Sequence, residues 1–197
     1  SLTPGSIKES TPVIVEREQH YYRYWATLTN LPFNSEISYR VRLGTNLVRE
    51  GVFKTRSTAD RPTRFVMVGD IAQGTAAQRG ISWRIGETKP DFLVVLGDIV
   101  YPSGRMIQYM NHFWSTYNQP TNASARTGAP LMASIPFYPA LGNHDSESAK
   151  LPDQPDAFAA YHVFHPPRNG PGLGPWNTPL GKDAATTNTF LLTARSG

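Results

Sequence analysis

The chain has 197 residues, with 19 Lys and Arg against 15 Asp and Glu, which gives a net charge of +4. The basic residues form no consecutive run, so we expect no nucleic acid as a structural partner. The absence of cysteine excludes disulfides, thiolate nucleophiles and Cys-ligated metal sites, which leaves His, carboxylate, amide and phenolate groups to bind any metal. No stretch approaches about 18 consecutive apolar residues, so no membrane span is predicted.

The first part of the chain has the pattern of short antiparallel strands joined by turns. Tyr39, Val41 and Leu43 alternate with arginines, and residues 44–46 form a plausible hairpin turn into a further strand over residues 47–55. Together with the alternation that precedes them, these segments predict a meander of strands from Val13 onward.

This meander resembles the end of a fibronectin type III sandwich, in which a tyrosine at the position of Tyr39 anchors a corner. A complete sandwich of that type takes about 100 residues, and the stretch up to Ser57 is much shorter. We therefore expect residues 1–57 to form a partial fibronectin type III-like β-sandwich without its first strands. Residues 57–63 read as a linker to a second domain over residues 64–197.

After the linker the pattern changes to that of an α/β domain. Continuous apolar runs cover residues 64–68 and 91–96, which suits strands of a parallel sheet buried on both faces. Ala77, Ile81 and Ile85 recur between them at helical spacing. The three segments predict one βαβ unit.

Two further elements follow the βαβ unit. Apolar residues from Met106 to Tyr117 recur on one helix face, a pattern more typical of core packing than of a cofactor site. Residues 135–141 predict a third strand, and its prolines, Pro136 and Pro139, indicate an edge or interrupted strand.

Each of the three apolar strands ends with glycine followed by an oxygen ligand candidate: Asp70, Asp98 and Asn143. Ligands of α/β sheets gather at the carboxyl ends of the strands, so we expect these side chains to converge, with glycine leaving room for an ion. Two close carboxylates need a shared counter-charge, which a divalent or trivalent metal supplies. Tyr101 could add a phenolate.

Three segments around these residues resemble the first three motif blocks of calcineurin-like metallophosphoesterases, specifically of the purple acid phosphatase branch. They are Gly69-Asp70-Ile71-Ala72, Gly97-Asp98-Ile99-Val100-Tyr101 and Gly142-Asn143-His144-Asp145. The blocks of that branch are Gly-Asp-x-Gly, Gly-Asp-x-x-Tyr and Gly-Asn-His-Glu or Gly-Asn-His-Asp, so Ala72 is a small departure. The resemblance implies an α/β metallophosphoesterase fold, the first half of a layered αββα sandwich, preceded by the last strands of a fibronectin type III-like β-sandwich.

The resemblance also implies a site and a reaction. Asp70 would bind an Fe(III)-type ion, Asp98 would bridge two metals, Tyr101 would be a phenolate ligand and Asn143 would bind the second ion, which is Fe(II), Zn(II) or Mn(II). His144 would contact the phosphate and assist the leaving group, and Asp145 would orient its ring. The implied activity is hydrolysis of phosphate monoesters, of the acid phosphatase type, by metal-bound hydroxide.

The family completes its site with later histidines, including a Gly-His-x-His block that this chain lacks. We therefore expect the missing part of the catalytic domain to be a partner of this half-site, and we expect an extracellular or periplasmic location. Two alternatives stay open from the residues: a phosphodiesterase of the same superfamily, and an inactive surface- or carbohydrate-binding module. Metal content and hydrolysis of an aryl phosphate separate the module from the enzyme.

Overall fold

Short antiparallel strand pairs come first along the chain, and a three-stranded parallel sheet with helices follows them. The computed structural model describes residues 7–9, 13–16, 19–21, 24–26, 28, 30–118, 120–146, 156 and 159–164. Residues 165–197, which end the predicted second domain, lie outside the described residues, and the division into domains at residues 57 and 64 stays a prediction.

Six strands form three antiparallel pairs before the linker. They are β1 (Ile7–Glu9) with β4 (Tyr24–Ala26), β2 (Val13–Glu16) with β3 (Gln19–Tyr21), and β5 (Glu36–Leu43) with β6 (Asn46–Lys54). The turn between β5 and β6 contains Gly44 with a φ of 60°, so the hairpin expected there is confirmed. The likeness of these strands to a fibronectin type III sandwich stays a prediction.

Tyr39 of β5 connects the β5–β6 hairpin to a distant part of the chain. Its hydroxyl donates to the Ala133 carbonyl at 2.8 Å, 94 residues further along the chain. The ring crosses Gly51, its partner on β6, where a Cβ atom would lie only 2.9 Å from the ring. Because glycine leaves this space open, the Tyr39 ring can cross β6, and its hydroxyl ties the β5–β6 hairpin to the short 3₁₀ helix Leu131–Ala133.

The second part of the chain contains the predicted βαβ unit. Strands β7 (Phe65–Val68), β8 (Phe92–Val95) and β9 (Phe137–Pro139) are parallel in the order β7-β8-β9, and helix α1 (Ala76–Thr88) connects the first two. The βαβ unit is therefore confirmed. Within the described ranges β9 pairs with β8 alone, which agrees with the edge position that its prolines predicted.

The buried face of α1 differs from the expected one. Gln78, Ser82 and Ile85 are buried, whereas Ile81 is exposed. Gln78 donates to the His112 carbonyl at 2.7 Å, and Ser82 accepts from the Ala129 amide at 3.1 Å. Two polar side chains thus take core positions because backbone groups of neighbouring segments satisfy their hydrogen bonds.

A continuous helical segment packs on one side of the sheet. It consists of α2 (Met106–Gln108), a π-helical stretch (Tyr109–Trp114) and α3 (Ser115–Tyr117), and α4 (Ala160–Val163) follows later. Phe113 and Tyr117 are buried against Phe137 of β9, as the core interpretation of this pattern predicted. No helix among the described residues has the length and apolar character needed to cross a membrane.

The opposite face of the sheet is open to solvent in the described structure. Phe65 is 51% exposed and Met67 is 55% exposed, and Tyr138 is also exposed. The expectation that these strands are buried on both faces is therefore wrong for β7. The described helices cover the face that carries alternate residues such as Val66 and Val68.

Candidate metal centre

The loops that follow β7, β8 and β9 meet at one end of the sheet. The Asp70 amide donates to the Gly97 carbonyl at 3.3 Å, and the Ile71 amide donates to the Asp98 carbonyl at 3.3 Å. From the third loop, the His144 amide donates to Asp98 Oδ1 at 3.0 Å. Hydrogen bonds donated by main-chain amides therefore hold the three predicted motif segments against one another.

Only two of the three strand-end glycines are required by space or backbone conformation. Gly97 has a φ of 110°, and a Cβ at this position would lie 3.1 Å from Gly142. A Cβ at Gly142 would lie 2.7 Å from Asp98 Cγ and closer still to its Oδ1. A Cβ at Gly69 would meet only ordinary contacts, the nearest being the Gly97 carbonyl oxygen at 3.6 Å, so the general need for room that the sequence suggested does not hold there.

Both aspartates of the site adopt left-handed backbone conformations. Asp70 has a φ of 56° and Asp98 a φ of 50°. Such conformations cost about 1–3 kcal/mol for a residue with a side chain and persist only where the surroundings impose them. The hydrogen bonds between the loops help to impose the left-handed conformations of Asp70 and Asp98. The strained turns bring both carboxylates toward the Tyr101 hydroxyl.

Tyr101 joins the two carboxylates. Its hydroxyl lies 3.1 Å from Asp98 Oδ2 and is also hydrogen-bonded to Asp70 Oδ1. The Asp70 hydrogen bond, followed by burial and the hydrogen bond to Asp98, raises the pKa of Tyr101 above its usual value. In the absence of a cation the phenol therefore stays protonated, and its proton occupies the point where three oxygen atoms converge.

The oxygen atoms around this point fit a hard metal ion. Two carboxylates and a phenol that converge at one point form the donor set that such ions prefer. In the described part of the chain, no group of three or more His, Asp or Glu side chains is placed to hold a metal. A centre at this point would therefore use the phenol of Tyr101 in addition to the carboxylates of Asp70 and Asp98.

His144 lies beside Tyr101, with 4.4 Å between the ring centroids. Its Nδ1 is 2.9 Å from the Pro102 carbonyl oxygen. A carbonyl can only accept, so we assign the proton of the neutral ring to Nδ1 and the exchangeable second proton to Nε2. The Pro102 carbonyl thus orients the ring, a contact that no pattern in the sequence indicated.

Asp145 is buried and binds backbone amides. Its carboxylate accepts from the amides of Ile99, Val100 and Gly142 at 2.9–3.2 Å. Burial raises its pKa above the usual value, against the opposing effect of these three donors. The expected role of orienting His144 is corrected: Asp145 is fully enclosed and fastens the loop that carries Asp98 to the loop that begins at Gly142.

The two remaining motif positions lie at opposite extremes of burial. Asn143 is exposed in the third loop, where its carbonyl accepts from the Ser146 amide at 3.2 Å. Ala72 is fully buried in the core, and its carbonyl accepts from the Tyr101 amide at 3.1 Å. The alanine that replaces the usual glycine of the first block is therefore accommodated by packing and leaves the Asp70 loop attached to the loop of Tyr101.

Residues 63–192 match the calcineurin-like phosphoesterase family, and this match covers more than half of the chain. The chain belongs to the calcineurin-like phosphoesterase family. Members of this family use dinuclear metal centres, and membership supports metal-dependent hydrolysis of phosphoesters by an α/β domain. A comparison with curated proteins gave no match.

Proposed function

We propose that the chain acts as a phosphomonoesterase of the purple acid phosphatase type, with Asp70, Asp98, Tyr101 and Asn143 as metal ligands. The observation that supports this proposal is the convergence of both carboxylates on the Tyr101 hydroxyl. Family membership supports the hydrolytic reaction, and the phenol at this point favours the tyrosine-containing branch.

The proposed metals are Fe(III) together with Fe(II), Zn(II) or Mn(II). A trivalent ion is favoured at the Asp70 and Tyr101 side because only a strongly polarising ion displaces a phenol proton at neutral pH. Asp98 can contribute to both ions, since its two oxygens face different partners: Oδ1 accepts from the His144 amide and Oδ2 faces Tyr101. Four oxygen-donor side chains are fewer than two ions require, so further ligands must complete the coordination.

When bound, two metal ions neutralise phosphoryl charge and lower the pKa of coordinated water from about 15.7 to about 7. The residues of this chain provide the geometry for that chemistry. Asp98 and Asp70 fix their carboxylates through the left-handed turns, and Asp145 holds the second and third loops together.

His144 is the proposed proton donor to the departing oxygen of the substrate. The Pro102 carbonyl retains the Nδ1 proton, so the proton that leaves is the one on Nε2. The His144 amide is bonded to Asp98, which fixes the distance between this donor and the metal ligands. General acid assistance of this kind typically contributes about 10²–10⁴ in rate.

The experiment compares wild type with Asp98→Ala and His144→Ala. Metal content after loading and hydrolysis of p-nitrophenyl phosphate are measured for each protein. Asp98→Ala should lose both metal and turnover, whereas His144→Ala should keep metal and lose turnover. Asp60→Ala, which removes an exposed aspartate of the linker, is the matched control and should change neither.

Equal turnover in wild type and Asp98→Ala would refute the proposed site. A loaded wild-type protein that prefers bis(p-nitrophenyl) phosphate to the monoester would instead identify a phosphodiesterase. A wild-type protein with neither bound iron nor turnover, even when the remaining part of the catalytic domain is supplied, would contradict the enzymatic function and favour a binding module.

A further inference from the structure

A buried hydroxyl group lies behind the loop of Asp70. Tyr117, the last residue of α3, donates from Oη to the Ile71 carbonyl at 2.9 Å. Both residues are buried, with Tyr117 only 1% exposed. The contact joins the end of the helical segment to the residue that directly follows the proposed ligand Asp70.

The packing of the Tyr117 ring determines where this hydroxyl points. Its centroid lies 5.2 Å from that of Phe113 and 6.0 Å from that of Phe137, so aromatic neighbours restrict the ring. Burial raises the pKa of Tyr117 above its usual value, and the group therefore remains a hydrogen-bond donor. A fixed, permanently protonated donor is suited to hold a carbonyl in one orientation.

Ile71 is consequently held on both sides. Its amide donates to the Asp98 carbonyl at 3.3 Å, and its carbonyl accepts from Tyr117. Asp70, immediately before it, has the left-handed conformation that needs support from its surroundings. Without the Tyr117 hydroxyl, the Ile71 carbonyl would be buried without this partner, and the loop would gain by turning it elsewhere.

We propose that Tyr117 is a positioning residue, whose hydroxyl holds the Ile71 carbonyl and thereby keeps Asp70 in the left-handed turn that directs its carboxylate toward Tyr101 and Asp98. The consequence for metal binding rests on the proposed function. The consequence for the loop does not, because it concerns the metal-free chain.

The test uses Tyr117→Phe, with Tyr109→Phe as the matched control. The Tyr109 hydroxyl is equally buried in the same helical segment but has no hydrogen-bond partner among the described residues, so removing it costs no such contact there. Amide hydrogen exchange of the metal-free proteins is followed by NMR at Ile71 and at Leu93, whose amide donates to the Pro136 carbonyl in the sheet. Mn²⁺ affinity is then measured by calorimetry.

Tyr117→Phe should exchange about tenfold faster at Ile71, the effect of one lost buried hydrogen bond, with Leu93 unchanged. Its Mn²⁺ affinity should fall by roughly 10–100-fold, as is typical when a residue behind a metal ligand is removed. Tyr109→Phe should match wild type in both measurements.

Unchanged exchange at Ile71 in Tyr117→Phe would overturn the proposal, and so would a parallel rise at Leu93, since that marks general loosening. If exchange rises at Ile71 alone but wild type binds no Mn²⁺, the positioning role stands and the proposed function fails.

Discussion

Replacing Gly142 by alanine tests whether the contact between the second and third loops sets the position of Asp98. The added methyl group would lie 2.7 Å from Asp98 Cγ. Carbon atoms in ordinary contact are about 3.5–4.0 Å apart, so the carboxylate or its loop must move by about 1 Å. The move cannot be confined to a flexible side-chain end, because the Asp98 main-chain nitrogen is also in the way.

The size of the effect follows from this displacement. Overpacking at a well-filled site typically lowers the free energy of unfolding by about 1–3 kcal/mol. A misplacement of about 1 Å in a reacting group costs on the order of 100-fold in rate. We therefore expect Gly142→Ala to remain folded, with weakened metal binding and about 100-fold lower turnover.

The assay combines urea unfolding, calorimetric titration with Mn²⁺ and hydrolysis of p-nitrophenyl phosphate. Gly69→Ala is the matched control, because it stands at the equivalent end of β7 and its Cβ would meet nothing closer than 3.6 Å. It should stay within about 1 kcal/mol of wild type in stability. Gly142→Ala with wild-type Mn²⁺ affinity and turnover, or Gly69→Ala with an equal loss, would refute the steric reasoning.

Two further predictions concern the scaffold, and both are measured as free energies of unfolding in urea. Arg105→Ala leaves the buried carboxylate of Asp156 without its 2.5 Å ion pair and should lower the free energy of unfolding by about 3–5 kcal/mol. Arg84→Ala breaks an exposed pair and should lower it by about 1 kcal/mol or less. Equal losses in the two variants would contradict this difference. Tyr39→Phe removes the donor to Ala133 and should cost about 1 kcal/mol, and no loss of stability would show that this bond does not tie the hairpin to the 3₁₀ helix.

The strand ends were the part of the site that the sequence predicted best. A buried strand followed by glycine and aspartate defines both an element and its terminus, so the sequence alone places Asp70 and Asp98 at the same sheet edge. The βαβ unit followed from the same local signals. Periodicity in a short window is sufficient for such elements because neighbouring residues determine them.

Contacts between distant backbone groups could not be predicted in this way. The family resemblance implies that Asp145 orients His144, yet its carboxylate binds amides that are about 45 residues away in sequence. Periodicity does not predict the buried face of α1 for the same reason, since Gln78 and Ser82 find backbone partners in other segments. The carbonyl and amide groups involved carry no residue-specific signal.

Tyr117 is a further case in which the sequence pattern predicts burial but not the hydrogen bond that the side chain makes. Its spacing from Phe113 marked it correctly as part of an apolar helix face, but periodicity treats tyrosine as a hydrophobic residue. The pattern does not encode the hydroxyl, which donates a hydrogen bond to the Ile71 carbonyl.

The left-handed turns at Asp70 and Asp98 also limit which residues these two positions can accept. Glycine would adopt the same φ values without strain, and asparagine would keep nearly the same shape at no greater strain. A descendant of this domain that had lost its chemistry could therefore relax to glycine or asparagine at both positions while retaining the fold. Aspartate at both positions retains the backbone strain and places two like-charged carboxylates close together. Both effects lower stability relative to glycine or asparagine, so aspartate has an advantage where the two negative charges are used.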